Sequence, residues 1–345
     1  MKVLVLNFEK TWRGGERQTL YNMQGFRKLG LEVVLACRQG TPMSVKAKQD
    51  GFKVNEYDNV FGVVGLLLLK GRGFDVIHVQ TSHMLTYAAY TKPFHGSKIV
   101  FTRRVNFQPH GFFTRLKYQL SDRVIAISQS VKRVLHNFGI REVSVISDIV
   151  MPRSLDKLRA EKEFKKEIKG KRVVATMAAL SKDKDPLTMV EAIRYLSEKR
   201  KDFVFLHFGS GDMEPVIKEK ITEYKITDVY QLVGFYENVE DFLSIADIFV
   251  MSSEQEGLGS IVLDAFIHKV PVVATKAGGM AELIENDRGV GCEVKAAQDI
   301  AEGVNMLLDN SDKVSSITEK AYEYVIENHS MDAISHKYLD IFNRL

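Results

Sequence analysis

The chain has only two cysteines among 345 residues, Cys37 and Cys292. They lie far apart, each in an apolar run, so neither a disulfide framework nor a cysteine metal cluster can be drawn from them, and buried free thiols in a reducing compartment are expected. A strong charge imbalance is also missing: 48 basic against 44 acidic side chains leave +4, which gives no global case for a nucleic-acid partner. No apolar run reaches the ~20 residues that a membrane-spanning helix needs; the stretch VFGVVGLLLL at 60–69 is about half as long. The amino terminus, MKVLVLNFEK, passes from apolar residues straight into charge without a small-residue cleavage site, so it reads as a strand and not as a signal peptide. These absences predict a cytoplasmic protein.

One absence is local. No Asp or Glu lies between Asp75 and Asp122, whereas Lys92, Lys98, Arg103, Arg104, Arg115 and Lys117 all do. Phe107, Phe112 and Phe113 are interleaved with these cations. Such a mixture fits peripheral attachment to the anionic inner surface of a membrane. It equally fits a basic, mobile acceptor loop that touches no lipid.

What is present is ordinary for a folded protein: 45% hydrophobic and 27% charged residues. The length favours two domains. In the first half, VLVLNF, VVLAC, KVNEY, DVIHVQ, IVFTRR and VIAIS read as strands. They alternate with helical stretches near 14–29, 43–50, 60–70, 82–90, 112–120 and 131–138. Strands without polar alternation, separated by helices, imply a parallel sheet covered on both faces. A run dense in both signs of charge, 153–172, predicts a solvated helix at a domain edge and a junction near residue 150. The pattern then restarts with VVATMAAL, VFLHFGSG, VYQLVGFY, IFVMSS and VVAT, with helices at 186–199, 214–224, 239–245, 260–268 and 280–284. The fold class is α/β, with two doubly wound Rossmann-like domains: 1–150, and 151–330 followed by a terminal helix at 331–345.

Ligands of such sheets bind beyond the carboxyl ends of the strands. Gly14 and Gly15 open the first helix there, either as a loop that lets a ligand approach the backbone or as a plain tight turn. Glu16 follows them. His83 comes after the strand DVIHVQ, while His78 lies inside it and reads as a core histidine. Arg103 and Arg104 end the next strand, suited to a phosphate or carboxylate or else to a solvated rim. In the second half, Lys184 follows the first strand and Gly209-Ser210-Gly211 the second. A dinucleotide fingerprint would need a third glycine where Glu214 stands, so a dehydrogenase is rejected. The stretch 252–283 carries Glu256 and Asp264, the helix start Gly257-Leu258-Gly259-Ser260-Ile261, and the pair Gly278-Gly279.

Taken together, Gly14-Gly15-Glu16, Asp75-Val-Ile-His-Val, Leu180 to Lys184, Gly209-x-Gly211, Gly234-Phe235, Ala246-Asp247-Ile-Phe-Val and Glu256-Gly-Leu-Gly to Asp264-Ala265 resemble the family-4 retaining glycosyltransferases of GT-B fold. The likeness spans nearly the whole chain, in order and spacing, and is greatest to bacterial enzymes of lipopolysaccharide, capsule and other envelope glycans. The resemblance implies two Rossmann-like domains facing across a cleft, with the terminal helix 331–345 crossing back onto the first. It implies transfer of a hexose-like sugar from a nucleoside-diphosphate sugar to a glycan or lipid-linked acceptor, with retention of configuration and without a metal or cofactor. By the same resemblance, Glu256 contacts the transferred sugar and Asp264 holds the ribose, while Lys184 and the helix start at Ser260 meet the diphosphate, helped by Arg103 or Arg104. Gly14, Gly15, Gly209, Gly211, Gly257, Leu258, Gly259, Ile261, Gly278 and Gly279 would line the donor site. Glu16, His83, Arg103 and Arg104 would face the acceptor.

The chain departs from the family pattern in places. Ala179 stands where an arginine is usual, Asp264 is shorter than the usual Glu, Arg103 replaces a histidine, and Ser147-Asp148-Ile149-Val150 replaces Asn-Gly-Val-Asp. Alternatives are an inverting heptosyltransferase or a nucleotide-sugar epimerase of similar fold, or a non-catalytic sugar-nucleotide-binding subunit.

Overall fold

Thirteen strands, all paired in parallel, build two sheets. The first contains β1 (Lys2–Asn7), β2 (Glu32–Arg38), β3 (Lys53–Tyr57), β4 (Val76–Val79), β5 (Lys98–Arg103), β6 (Arg123–Ala126) and β7 (Val143–Val145), in the order β3-β2-β1-β4-β5-β6-β7. The second contains β8 (Arg172–Met177), β9 (Phe203–Phe208), β10 (Tyr230–Gly234), β11 (Ile248–Met251), β12 (Val272–Thr275) and β13 (Val290–Cys292), in the order β10-β9-β8-β11-β12-β13. This computed structural model describes residues 1–345. They divide into two compact units, Met1–Ile149 with Asn328–Leu345, and Val150–Glu327.

Each sheet is doubly wound because its strands are apolar on both faces. Val3, Leu4, Val5 and Leu6 are all fully buried in β1, and Phe203, Phe205 and Phe208 are buried in β9. Only helices packed on both faces can cover such strands. The strand order reverses between β1 and β4 in one unit and between β8 and β11 in the other. At those two points the flanking connections diverge and leave a crevice at the carboxyl edge.

Local chemistry sets the helix starts. Asn59 accepts a bond from the Phe61 N–H, Ser128 from Val131 and Ser330 from Ala333. These short polar side chains satisfy amide groups that have no partner within their own helix. The cap at Ser128 makes that helix Gln129–Asn137, two residues earlier than the apolar spacing predicts. The helix predicted at 82–90 continues to His95, taking Pro93 into its last turn, and stops at Gly96 with φ +66°.

The terminal helix Met331–Asn343 belongs to the first unit. It packs on the helix Gly14–Lys28 so closely that a Cβ on Gly25 would lie 1.9 Å from Ser335 Oγ. Tyr338 and Phe342 meet Phe26 at ring-centroid distances of 5.5 and 5.3 Å, and Tyr338 Oη bonds Thr102 Oγ1 at 3.0 Å. His78 completes this cluster. Its ring lies 5.0 Å from Tyr338, and its Nε2 is 2.9 Å from Thr102 Oγ1.

The charged run 153–172 differs from expectation. Only Lys157–Glu163 is helical. Arg153 and Arg159 reach the buried Asp241 at 2.9 and 3.0 Å, and Phe164 packs edge-on against Phe208 and Phe242. The helix is solvated along most of its side chains, as expected, but Arg153 and Arg159 anchor the segment to a partner more than eighty residues away. Both cysteines are free and buried, and burial pushes their thiols up to about 11 for Cys37 and about 12 for Cys292.

Burial, aided by the Arg104 cation, holds His78 down to about 3; burial holds His207 in β9 down to about 4. Both are neutral when folded at pH 7, whereas an unfolded histidine takes up a proton near pH 6.5. Their stabilising contribution is therefore full above pH 6.5 and falls with acidification, by up to ~1.4 kcal/mol per pH unit for each ring. Urea unfolding at pH 5.0 and 7.5 should show lower stability at pH 5.0. In His78→Gln the drop should shrink by about 2 kcal/mol, and an unchanged drop would show that this ring is not held neutral.

Candidate functional site

In the second unit, the loops leaving β8, β11 and β12 are tied together at the switch point. The buried Ser252 hydroxyl bonds the carbonyls of Lys184 and Asp185 at 3.0 and 2.9 Å. The Glu254 and Gln255 N–H groups both donate to the Asp183 carbonyl, at 2.9 and 3.1 Å. Thr275 Oγ1 donates to the Ser253 carbonyl at 2.6 Å, and the Gly279 N–H to the Glu256 carbonyl at 3.1 Å. Residues that the sequence separates by about seventy positions thus become neighbours. Lys184 Nζ rests on the Glu256 carboxylate, which Ser253 Oγ also approaches at 3.3 Å. Next to Lys184, Asp185 adopts φ +46°, unusual for a residue with a Cβ. Its carboxylate accepts from Thr188 Oγ1 at 2.6 Å, starting the helix Pro186–Lys199.

The Gly209-Ser210-Gly211 turn has a packing reason as well as any ligand reason. A Cβ on Gly209 would sit 1.9 Å from the Ala178 carbonyl oxygen, and one on Gly211 would sit 2.3 Å from that of Leu180. The two backbones lie side by side, joined by bonds from Leu180 N–H to the Ser210 carbonyl and from Met213 N–H to the Leu180 carbonyl. The turn therefore shapes the loop that carries Lys184.

Gly259, at φ +87°, begins the helix Ser260–Ile267 without a side-chain cap. Ser260 and Ile261 form its first turn, and Gly257 precedes it by two residues. Leu258 is buried, so only its backbone can meet a ligand. Asp264 is buried on the second turn of this helix. Gly278 is at φ +54°; Gly279 is buried, with its N–H already committed to Glu256.

The first unit corrects several expectations. Glu16 is buried and accepts the Arg13 N–H at 3.0 Å, so its carboxylate caps its own helix. Burial raises its pKa, an effect partly offset by that bond. Arg103 is 3% exposed; its guanidinium donates to Tyr118 Oη at 2.6 Å and to the Phe107 carbonyl. Arg104 pairs with the buried Asp148 and donates to Gln80 Oε1 at 3.1 Å. Two adjacent arginines at a strand end suit an anion site, but both guanidinium groups are engaged inside the fold. Gly14 and Gly15 occupy the first turn of the helix Gly14–Lys28, and a Cβ on Gly15 would have ordinary contact with Arg104.

His83 is exposed, 3.6 Å from Glu9, with its pKa lowered chiefly by partial burial. It lines a cavity of about 560 Å³ beyond β1, β2, β3 and β4 whose other walls include Phe8, Lys10, Arg13, Arg38 and Asp58. The sequence reading missed Lys10, Arg38 and Asp58; their position at or just past strand ends was the available signal. A cavity of about 610 Å³ opens at the opposite edge, by the strand starts at Asp75 and Lys98, away from all of these residues.

The acid-free segment is also less cationic than its sequence. Lys92 and Lys98 face Asp122 at 2.7 and 3.7 Å, and Lys117 is buried on Ser82 and Thr86. Arg115 remains exposed. The aromatic side chains do point out: Phe112 and Phe113 are each 74% exposed, and Phe94 and Phe107 are exposed too. The neighbouring helix Val60–Lys70 presents Phe61, Leu68 and Leu69, the last 85% exposed.

Known proteins match both halves of the chain. A model described as Glycosyltransferase Family 4 matches residues 12–152, and one described as Glycosyl transferases group 1 matches 159–324. N-acetyl-alpha-D-glucosaminyl L-malate synthase of Bacillus anthracis is 25% identical over 234 residues, covering 66% of this chain and 61% of that protein. Lipopolysaccharide core biosynthesis glycosyltransferase LpsE of Rhizobium meliloti is 24% identical over 171 residues, 49% of each chain. The chain thus spans about half to three fifths of those two relatives. Among solved structures, Anabaena HepE in complex with UDP and glucose aligns over 100% of both chains, with a TM-score of 0.87 at 19% identity. TarM aligns over 99% of this chain and 98% of its own, at 0.81 and 15%. At such identities the structures show a shared fold.

Gly209→Ala should destabilise the second unit by about 3 kcal/mol, because the new methyl meets a carbonyl in a backbone conformation only glycine adopts readily. Thermal unfolding read by circular dichroism checks this. An unaltered melting temperature would mean that the loops are not held as described.

Proposed function

Since this chain belongs to the family-4 glycosyltransferases of GT-B fold, we propose that it transfers a hexose-like sugar from a nucleoside-diphosphate sugar to a glycan or lipid-linked acceptor in bacterial envelope glycan synthesis. The observation that carries this reading is the meeting of Lys184 and Glu256 at the switch point of the second sheet. The solved HepE complexes with UDP and with UDP-glucose support a nucleotide-sugar donor. The name of LpsE supports an envelope product.

In this reading the donor binds the second unit. Its diphosphate carries more negative charge than one carboxylate, so it draws Lys184 Nζ away from Glu256. That exchange frees the Glu256 oxygens to accept hydroxyl bonds from the sugar. The first turn of the helix Ser260–Ile267 adds the positive end of its dipole. Asp264, within that helix, takes the ribose hydroxyls. Negative charge grows on the leaving phosphate as the glycosidic bond breaks, and Lys184 stabilises it there without a metal ion. Transfer proceeds with retention, the leaving phosphate accepting the acceptor proton on the same face. The first unit takes the acceptor.

We also propose peripheral attachment to the inner membrane surface, with cytoplasmic residence. The exposed Phe61, Leu69, Phe94, Phe112 and Phe113 support it more than charge does. Burying one such ring in the interface contributes roughly 1.5–3 kcal/mol.

Thermal shift with UDP, other nucleoside diphosphates and their sugars identifies the donor base, since a ligand of the folded state raises the melting temperature. Lys184→Ala should weaken diphosphate binding by roughly 1.5–3 kcal/mol and leave nucleoside binding alone. Glu256→Ala should abolish most turnover while nucleoside-diphosphate affinity stays the same or improves, as Lys184 loses its competing partner. Equal loss of binding and turnover would make Glu256 structural, and activity that chelators abolish would refute metal-free transfer. Replacing Phe112 and Phe113 by Ser should cut co-sedimentation with phosphatidylglycerol vesicles at least tenfold; unchanged sedimentation would remove this face from membrane contact.

A further inference from the structure

We infer that the cavity beyond β1, β2 and β3 binds an anionic group of the acceptor, a phosphate or a carboxylate. The inference rests on the reading that the first unit takes the acceptor.

Three cations line this cavity, Lys10, Arg13 and Arg38, against the carboxylates of Glu9 and Asp58. Glu9 is turned toward His83. None of the three cations is ion-paired, in contrast to Arg104, Arg153, Arg159 and Arg200, each of which lies on a carboxylate. Arg38 is positioned by a ring instead: its guanidinium stands 5.8 Å from the centre of Phe8, itself buried. Arg13 sits at the mouth of the helix Gly14–Lys28, where the helix dipole adds to the positive potential. Its backbone N–H is held by Glu16, which fixes where its side chain starts.

Three cations against two carboxylates leave the cavity net positive, and an anion entering it answers that excess. Guanidinium groups match the two oxygens of a phosphate or carboxylate in a planar fork. A neutral glycan would leave this charge unanswered. The acceptor class is therefore a sugar phosphate, lipid-linked phosphate, uronic acid or small carboxylic acid.

Isothermal titration of the full chain with glycerol 1-phosphate and with D-glucuronate separates the two sources, with glycerol and D-glucose as uncharged controls and UDP titrated in parallel. One anion should bind at least tenfold tighter than its control. Arg38→Gln and Arg13→Gln should each lower that affinity about tenfold and leave UDP affinity unchanged. Preference for the phosphate or for the glucuronate names the group. The inference is overturned if neither anion outcompetes its control, if both variants bind the anion like the wild type, or if Lys184→Ala abolishes anion binding instead. UDP binding without anion binding defeats this inference and leaves the transferase reading standing. Failure of the wild type to bind any nucleoside diphosphate defeats the transferase reading, and the acceptor assignment with it.

Discussion

The Ser252 hydroxyl reaches two backbone carbonyls, those of Lys184 and Asp185, across the point where the second sheet reverses its strand order. Without that bond, and the pair of amides that Glu254 and Gln255 direct at the Asp183 carbonyl, the loops after β8 and β11 would be separate surface segments. Joined, they hold a lysine and a carboxylate at contact distance at the edge of a rigid sheet. A loop carrying function tolerates little drift when its own backbone is hydrogen-bonded to the scaffold. Glycine makes this possible on the other flank, since the chain after β9 lies too close to Ala178 and Leu180 for any side chain at Gly209 or Gly211.

Charge in this protein is allocated unit by unit. The first unit engages most of the cations that its sequence clusters between residues 92 and 117, three of them on carboxylates and two on neutral oxygens. Arg103 folds its own loop back through Tyr118 and Phe107, Arg104 locks the ends of β4 and β5 to Asp148, and Lys117 is buried among carbonyl and hydroxyl oxygens. A buried cation must find such partners, because an unpaired one is prohibitively costly. Charge that could answer a ligand remains elsewhere: Lys10, Arg13 and Arg38 around the first-unit cavity, and Lys184 in the second unit.

Lys184 and Glu256 form a partly buried ion pair at the switch point of the second sheet. Two partly buried opposite charges hold each other until a stronger anion competes for the lysine. In the proposed donor reading this contact acts as an exchange, in which phosphate binding to Lys184 releases the carboxylate. Glu256 is prepared for either state, since Ser253 and the backbone bond from Gly279 keep its position.

The sequence alone determined the two doubly wound sheets, because unalternating β-branched runs separated by helical stretches have only that solution. Several helices of the second half were legible to within a residue, Pro186–Lys199 and Met280–Ile284 among them, since apolar spacing and turn residues are local signals, whereas Ala297–Asp309 and Ser311–His329 were not predicted. The motif order also singled out Lys184, Glu256 and Asp264. What only the tertiary structure decided is which polar side chains are free. Glu16 reads as a ligand group and caps its helix; Arg103 and Arg104 read as an anion clamp and brace the fold; Arg38, which no motif marks, lines a cavity. The reason is physical. Secondary structure follows from contacts a few residues apart, whereas the partner that consumes a charge can lie forty or eighty residues away, as Asp148 does for Arg104 and Asp241 for Arg159.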